Sequence, residues 1–424
     1  MIARISVEIL LGDQPMSSVG IPNPYRGLRG LPADVWIIAA ATFVNRAGMM
    51  ALPFLVLYLT RYLHIPAALA GLSITAYGVG SLVTAPIAGR LADRIGPFAV
   101  LRAGLALSGV ILLIMPLVQR FTLILALTFL WAVVADAARP ATMAALTGSA
   151  PPEQRKAAIA LNRLSINLGM SIGPAVGGFL AMVSFPLLFV VDGVTSLAAA
   201  ALLSGLLWRR GRSLNGVVEA HGSAEPRVPV SSSTSVVWRD RIALMFFASS
   251  FLMNVVFVQH QGAMPLYLVR DLHYRESFYG GLFVLNTLII VALEVPINMA
   301  MAHWSARPAT ALAMVLVAIG YGALAVAQAP LAIALTVVVW TFGEMIFFPT
   351  ATAHVAELAP PGRIGEYMGA FAGTFSLALI VGPWLGVALL DRIGAPAMWS
   401  AMFVCGLAAA ALGGLAGGAT SRRR

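Results

Sequence analysis

The chain has 424 residues, of which 59% are hydrophobic and only 10% charged, and its mean hydropathy is +0.88. A water-soluble domain of ordinary composition, roughly half apolar and about a quarter charged, is excluded. The formal net charge of +10 raises a nucleic-acid reading, which the placement of the basic residues removes below.

Residues 1–34 are of mixed polarity, with Pro22, Pro24, Gly27 and Gly30, and read as a loose cytoplasmic lead-in. Neither a long hydrophobic core nor a small-residue cleavage site follows the short apolar piece Ile9–Leu11, so no signal peptide is expected. Met1 and Met16 both remain open as the start. Crossing a hydrocarbon core takes about 20 helical residues. Stretches of that kind are predicted at 35–60, 67–89, 98–118, 122–148, 158–183 and 187–208, then at 240–269, 278–301, 309–327, 331–357, 366–390 and 397–418. Alternation over about 10 residues, the mark of a membrane β-strand, is absent. The spans are therefore helices, whose backbone groups bond within each segment. The expected fold class is an all-α membrane protein of 12 transmembrane helices. It divides into a bundle at 35–208, a polar cytoplasmic linker at 209–239, a second six-helix bundle at 240–418 and a basic tail at 419–424.

The two bundles are copies of one unit. Trp131, Pro140, Pro151-Pro152, Gly173-Pro174 and Gly177 reappear 209 residues later as Trp340, Pro349, Pro360-Pro361, Gly382-Pro383 and Gly386. A constant offset at five landmarks marks a duplication and predicts pseudo-symmetry. With the N-terminus cytoplasmic, segments on that side hold 17 Lys and Arg residues; the opposite loops hold 5, namely Arg61, Arg120, Arg270, Arg275 and Arg392. Both termini are thus expected in the cytoplasm of a multi-pass inner (plasma) membrane protein. The basic balance is explained by topology and anionic lipid, so the bilayer is a partner and nucleic acid is not.

After the second span the chain reads Gly89-Arg90-Leu91-Ala92-Asp93-Arg94-Ile95-Gly96. The glycines permit a tight turn, and Asp93 can accept hydrogen bonds at a helix N-terminus. With twelve spans, the duplication and the long central loop, this resembles the major facilitator superfamily. The resemblance implies that Gly89, Asp93, Arg94 and Gly96 form a gating loop that latches one state. Pro97-Phe98 stand where that family continues with two basic residues, and Arg102 lies one turn on. The corresponding second-half segment, Ala302 to Arg307, lacks the pattern. In the fifth span Gly169, Gly173 and Gly177 fall four apart, on a stripe drifting about 40° per step, where another backbone can approach closely. Pro174 loosens the helix among them. Together with Gly178 they look like the antiporter signature of the superfamily's proton-coupled exporters.

An ionisable side chain deep in a span is costly and usually faces an interior cavity. Arg46, Asp136, Arg139 and Glu344 lie near the middle of spans 1, 4, 4 and 10, which in the superfamily line the central cavity. Asn45, Asn254, Gln259, His260, Gln261 and Trp340 are expected to add a polar and aromatic substrate lining. Carriers of this kind hold substrate at the midplane between their halves. Arg46 and Asp136 are expected to pair when no proton is bound, since an arginine stays charged while a carboxylate can neutralise. The alternative is a static inter-helix tie. Glu344, with no basic partner in its half, is the other proton carrier. Asp192 reads as a wet helix end, Glu294 and Asn298 as a gate contact, and Asn162 and Arg163 as meeting headgroups or the 4–5 loop.

The nearest resemblance is to twelve-span drug:proton antiporters, although the arginine they often carry early in span 4 is absent, near Thr128. Proton-coupled peptide symporters offer a rival: Arg46, Gly48 and Leu55–Leu59 fit their first span, but Thr42 and Asn45 replace both glutamates. The expected function is secondary active transport, namely proton-coupled efflux of small amphipathic compounds by a monomer. Uptake of a peptide, sugar or amino acid is the alternative. Protons are the coupling ion, with no other cofactor. The lone Cys405 excludes an intrachain disulfide or a thiolate cluster, and His354-x-x-Glu357 lacks a metalloprotease's second histidine. No nucleophile–base pair at membrane depth indicates an enzyme, and outer loops of a few residues leave no receptor domain.

Overall fold

A computed structural model describes residues 30–213, 237–301, 304–360 and 363–416. The lead-in up to residue 29, with Met16, most of the linker and the basic tail lie outside the described residues. The α-helices are α1 (Ala33–Gly48), α2 (Ala51–Leu57), α3 (Ala67–Ile95), α4 (Pro97–Ile114), α5 (Phe121–Ser149), α6 (Arg155–Val183) and α7 (Phe185–Ser213). They are followed by α8 (Arg241–Phe257), α9 (Ala263–Leu266), α10 (Glu276–Ala300), α11 (Ala306–Gly322), α12 (Pro330–Leu358) and α13 (Ile364–Ala416).

At about 1.5 Å per residue, the 53 residues of α13 would run about 80 Å, well over twice a bilayer core of about 30 Å. Gly394, at φ 78° and ψ 168°, breaks it shortly before Pro396. Its two parts are the eleventh and twelfth spans, so the chain crosses twelve times. The helices differ from expectation at some ends. The second span does not stop at 89: α3 continues to Ile95, so Gly89 to Ile95 form helical turns, and the turn itself is Gly96, at φ 87° and ψ 144°. Pro97 then opens α4 at a position where its missing N–H costs nothing. Residues 209–213 of the expected linker continue α7, and Val237–Arg239 form a 3₁₀ turn.

The duplication holds far beyond its five landmarks. The starts of α4, α5 and α6 at Pro97, Phe121 and Arg155 recur at Ala306, Pro330 and Ile364, again 209 residues on. The π-helical turns Tyr58–Tyr62 and Tyr267–Asp271 keep that spacing. So do His64 and His273, whose φ values of 55° and 57° lie in the left-handed region.

Spans 1 and 7 are each discontinuous. Pro53 cannot donate to the Met49 carbonyl and its ring crowds it, and Pro265 does the same at Gln261. Helix α1 accordingly ends at Gly48 and α2 begins at Ala51, while α8 and α9 are separated by a 3₁₀ turn and Gln261-Gly262.

The halves meet along two seams. In one, α3 lies against α13: the Thr75 hydroxyl donates to the Ile380 carbonyl at 2.6 Å, and a Cβ at Gly78 would fall 2.8 Å from the Ile380 nitrogen. In the other, α6 lies against α10, with Gly178 on Glu276 and Gly280 on the Pro174 carbonyl. At the end opposite Gly30, Arg61 donates to the Val269 carbonyl at 2.7 Å and lies 3.7 Å from Glu276. Nearby the Tyr279 hydroxyl lies 2.8 Å from the His260 carbonyl and 3.2 Å from that of Pro53. Toward the end that carries Gly30 the Arg163–Glu294 ion pair still spans the halves, but the inner face of α5 is exposed. Arg139 is turned away from Leu123 and Leu130 on the helical wheel, toward the centre of the molecule, yet its side chain is 57% exposed. The molecule is therefore closed at one end and open at the end from which the chain enters.

Candidate functional site

Arg46 stands in the last turn of α1, just before the break. Beside it a cavity of about 70 Å³ is lined by Asn45, Arg46, Tyr77, Asp136, Arg139 and Asp192 among others. Three of the four charged residues expected to converge therefore do so. Glu344 does not line this cavity. The expected Arg46–Asp136 pair is not formed. Arg139, one turn along the same helix, reaches Asp136 first, with Nε 3.1 Å from Oδ1. Arg46 instead points Nη1 at the Met49 sulfur, 3.0 Å away, and its buried Nε has no partner. The cavity thus holds two guanidiniums and two carboxylates, of which Asp136 is the one ion-paired among the described residues.

Asp192 corrects the sequence reading in the opposite direction. It is 2% exposed, not a wet helix end, and its Oδ2 accepts from the backbone nitrogens of Met50 at 3.2 Å and Ala51 at 3.1 Å. These donors are freed by the break in span 1, and a buried carboxylate satisfies them. Nothing in the sequence pairs residue 192 with residue 50. Asn45 donates to the Ser196 hydroxyl at 3.0 Å, tying α1 to α7.

The glycine stripe of α6 runs along this same break. A Cβ at Gly169 would meet the Arg46 side chain at 2.5 Å, one at Gly173 the Met49 and Arg46 carbonyls at 2.9 and 3.0 Å, and one at Gly177 the Met50 side chain at 2.8 Å. Gly178 faces the other way, 2.7 Å from the Glu276 carbonyl of the second half. Pro174 lies inside α6, its carbonyl against Gly280. The motif therefore packs the first span's break and the inter-half seam at once. The second motif is placed less fully. Gly89 and Asp93 belong to α3, their contacts lying outside the described side chains; Arg94 is exposed and Gly96 makes the turn.

The second half is built differently. His260 lies between Trp340, Phe283 and Phe257, with ring centroids 6.3, 5.8 and 4.8 Å away. Its Nδ1 is 2.7 Å from the Phe257 carbonyl and so carries the proton, leaving Nε2 to accept from the Gln261 amide at 3.0 Å. His260, Trp340, Met264, Tyr279, Leu282 and Phe283 line a smaller cavity of about 10 Å³. Gln259 was expected in the substrate lining. It is fully buried instead, its amide donating to the Val255 carbonyl of α8 at 2.9 Å and to the Gly382 carbonyl of α13 at 2.8 Å. Asn254 is likewise engaged within the bundle, with Thr374 at 3.3 Å. Glu344 accepts from Asn286 at 2.9 Å, and Asn286 also reaches the Thr341 hydroxyl. Asn286 was missed; a lone amide in the apolar run of span 8 was the available signal.

At the open end Arg163 and Glu294 form an ion pair between α6 and α10. Arg163, expected at headgroups or the 4–5 loop, therefore joins the two halves with Glu294, whose backbone carbonyl also accepts from Asn298 at 2.8 Å.

Comparison with known proteins places this architecture. The model of the Major Facilitator Superfamily matches residues 38–267 and 260–420. Among curated relatives, the uncharacterized MFS-type transporter YqjV of Bacillus subtilis is 23% identical, over 86% of this chain and 88% of that one. A Na(+), Li(+), K(+)/H(+) antiporter of Planococcus maritimus is 22% identical, over 80% and 85%. Among solved structures, the peptide transporter POT in complex with sulfate superposes with a TM-score of 0.74 at 16% identity, covering 94% of this chain and 96% of that one. The chain belongs to the Major Facilitator Superfamily, and its twelve crossings are those of a multi-pass membrane transporter.

Proposed function

We propose that this transporter is a proton-coupled antiporter that exports small amphipathic organic compounds by alternating access, as a monomer, with both termini in the cytoplasm of the plasma membrane. The observation that carries the reading is the Gly169–Gly178 motif, which packs both the break of span 1 and the seam with span 8 and so couples the charged cavity to motion between halves. With the termini cytoplasmic, the structure is the inward-facing state, its cavity open to compounds inside the cell. The antiporter from Planococcus maritimus supports exchange over symport. The apolar, aromatic surroundings of His260 and Trp340 suit amphipathic cargo better than ions. In this cycle Asp136 and Glu344 carry protons, and Arg46 and Arg139 stand beside Asp136 on the cavity wall.

The test is proton-driven efflux in inverted vesicles, with a susceptibility screen of an efflux-deficient host expressing the protein. Asp136→Asn and Glu344→Gln should each reduce proton-driven flux at least about tenfold, in the range set by losing one proton-handling group, while membrane insertion stays normal. Flux that persists in both variants refutes Asp136 and Glu344 as proton carriers, and flux that runs inward with protons refutes export. Inward flux would favour the second reading, uptake of a small solute, which rests on Arg46, Gly48 and the Leu55–Leu59 run.

A further inference from the structure

Two pseudo-equivalent helix breaks sit in this molecule, and they are held by different chemistry. At span 7 the holder is the Gln259 amide, which cannot titrate, bonded to the Val255 and Gly382 carbonyls. At span 1 it is the Asp192 carboxylate on the Met50 and Ala51 nitrogens. The residue 209 positions after Asp192 is Ala401, so the second half has no counterpart.

We propose that Asp192 is a proton-operated latch on the first span: as a carboxylate it holds the break between α1 and α2 in the shape seen here, and on protonation it releases that break.

Oδ2 is shared by two backbone donors, and hydrogen bonds to a charged acceptor are roughly twice as strong as neutral ones. Adding a proton to the carboxylate removes that charge. The titratable and charged groups facing Asp192 are Arg46 from α1, Tyr77 from α3, and Asp136 and Arg139 from α5; α4 supplies Ser108 and α7 itself Ser196. Arg46, with Nε unpartnered, is the cation left without a carboxylate contact in this state. The shared cavity gives the proton its route, since Arg139 on its wall is exposed at the open end. The moving part is defined as well: α2 carries Pro53 and Phe54, which meet Tyr279 of the second half at the closed end. Releasing the break therefore frees the half-span that seals that end. Asp192 acts through α2 rather than on substrate and is a positioning residue. Its place in the transport cycle rests on the proton-coupled reading above; the latch itself does not.

The test is amide hydrogen exchange of the segment spanning residues 48–57, in purified full-length protein reconstituted in nanodiscs and corrected for intrinsic exchange. In the wild type, protection at about pD 8 should fall roughly tenfold or more at about pD 5. Equal protection at both overturns the proposal. Asp192→Asn, whose amide oxygen can still accept from both nitrogens without charge, should exchange fast at both; protection like that of the wild type at the higher pD would make Asp192 a static cap and overturn the latch. If that variant does not insert, Asp192→Glu decides: a retained pD response with a displaced midpoint supports the latch, and a flat response overturns it. Asp136→Asn and Glu344→Gln should keep the response of the segment even while losing flux, and its loss in either assigns the effect to them. Failure of the export reading would leave these exchange data unchanged.

Discussion

Asp192 and Asp136 lie on one cavity and are satisfied in unlike ways. Asp136 has a cationic side-chain partner on its own helix, whereas Asp192 has two backbone donors at the break of span 1. Glu344 presents a third arrangement, a carboxylate whose contact is a neutral amide from span 8. A carboxylate held by an amide rather than a guanidinium can lose its charge without stranding a buried cation, which suits it to carrying a proton. Replacing Asn286 with Ala removes the donor and leaves the fold of α10 intact. Proton-driven flux should then fall several-fold with its pH profile displaced, at unchanged expression, as measured in the same vesicle assay.

At the scale of helices, proline and glycine divide the labour. Pro53 and Pro265 open the two discontinuous spans, and small residues on α6 let α1 and α2 pass at backbone distance. Gly173→Val would set a side chain against the Met49 and Arg46 carbonyls, where even a Cβ comes within 3.0 Å. Overpacking of this kind costs about 1–3 kcal/mol, to be read as a lowered thermal midpoint in detergent together with lost transport. Gly369→Val is the control, since nothing lies within 4 Å of a Cβ there; its midpoint should shift far less. Comparable shifts in the two would mean that the stripe has no packing role.

For the whole molecule the question is what holds the two halves while one end opens. The α3–α13 and α6–α10 seams are continuous, and charged clasps sit at both ends of the second: Arg61 with Glu276 at the closed end and Arg163 with Glu294 at the open one. The Arg163 side chain is 58% exposed, so its clasp should contribute little to stability, under about 1 kcal/mol, but that is enough to bias a balanced pair of states. Removing either partner should change the rate at which an impermeant maleimide labels a cysteine at Thr142, in the cavity, by about two- to five-fold, in a Cys405→Ser background. The charge swap Arg163→Glu with Glu294→Arg should restore it; a swap that behaves as the sum of its single changes would show no coupling across the seam.

The sequence by itself determined that the chain crosses a membrane as helices, that it does so twelve times in two copied halves, and that Arg46, Asp136 and Glu344 are too polar for their depth, though not Asp192 or Asn286. Each of these follows from composition and period, properties local to a segment or repeated along it. It also marked Arg46, Asp136 and Arg139 as neighbours of one cavity through the family resemblance. Only the tertiary structure decided who pairs with whom. Arg139 takes Asp136 because a partner at i+3 is closer than one on another helix, and Asp192 reaches Met50 because the break of span 1 falls where α7 passes. Gln259 is drawn from the expected lining into the joint, where it reaches the Val255 carbonyl of its own span and the Gly382 carbonyl of α13. Hydrogen-bond partners distant in the chain are set by where helices cross, and hydropathy carries no record of crossings.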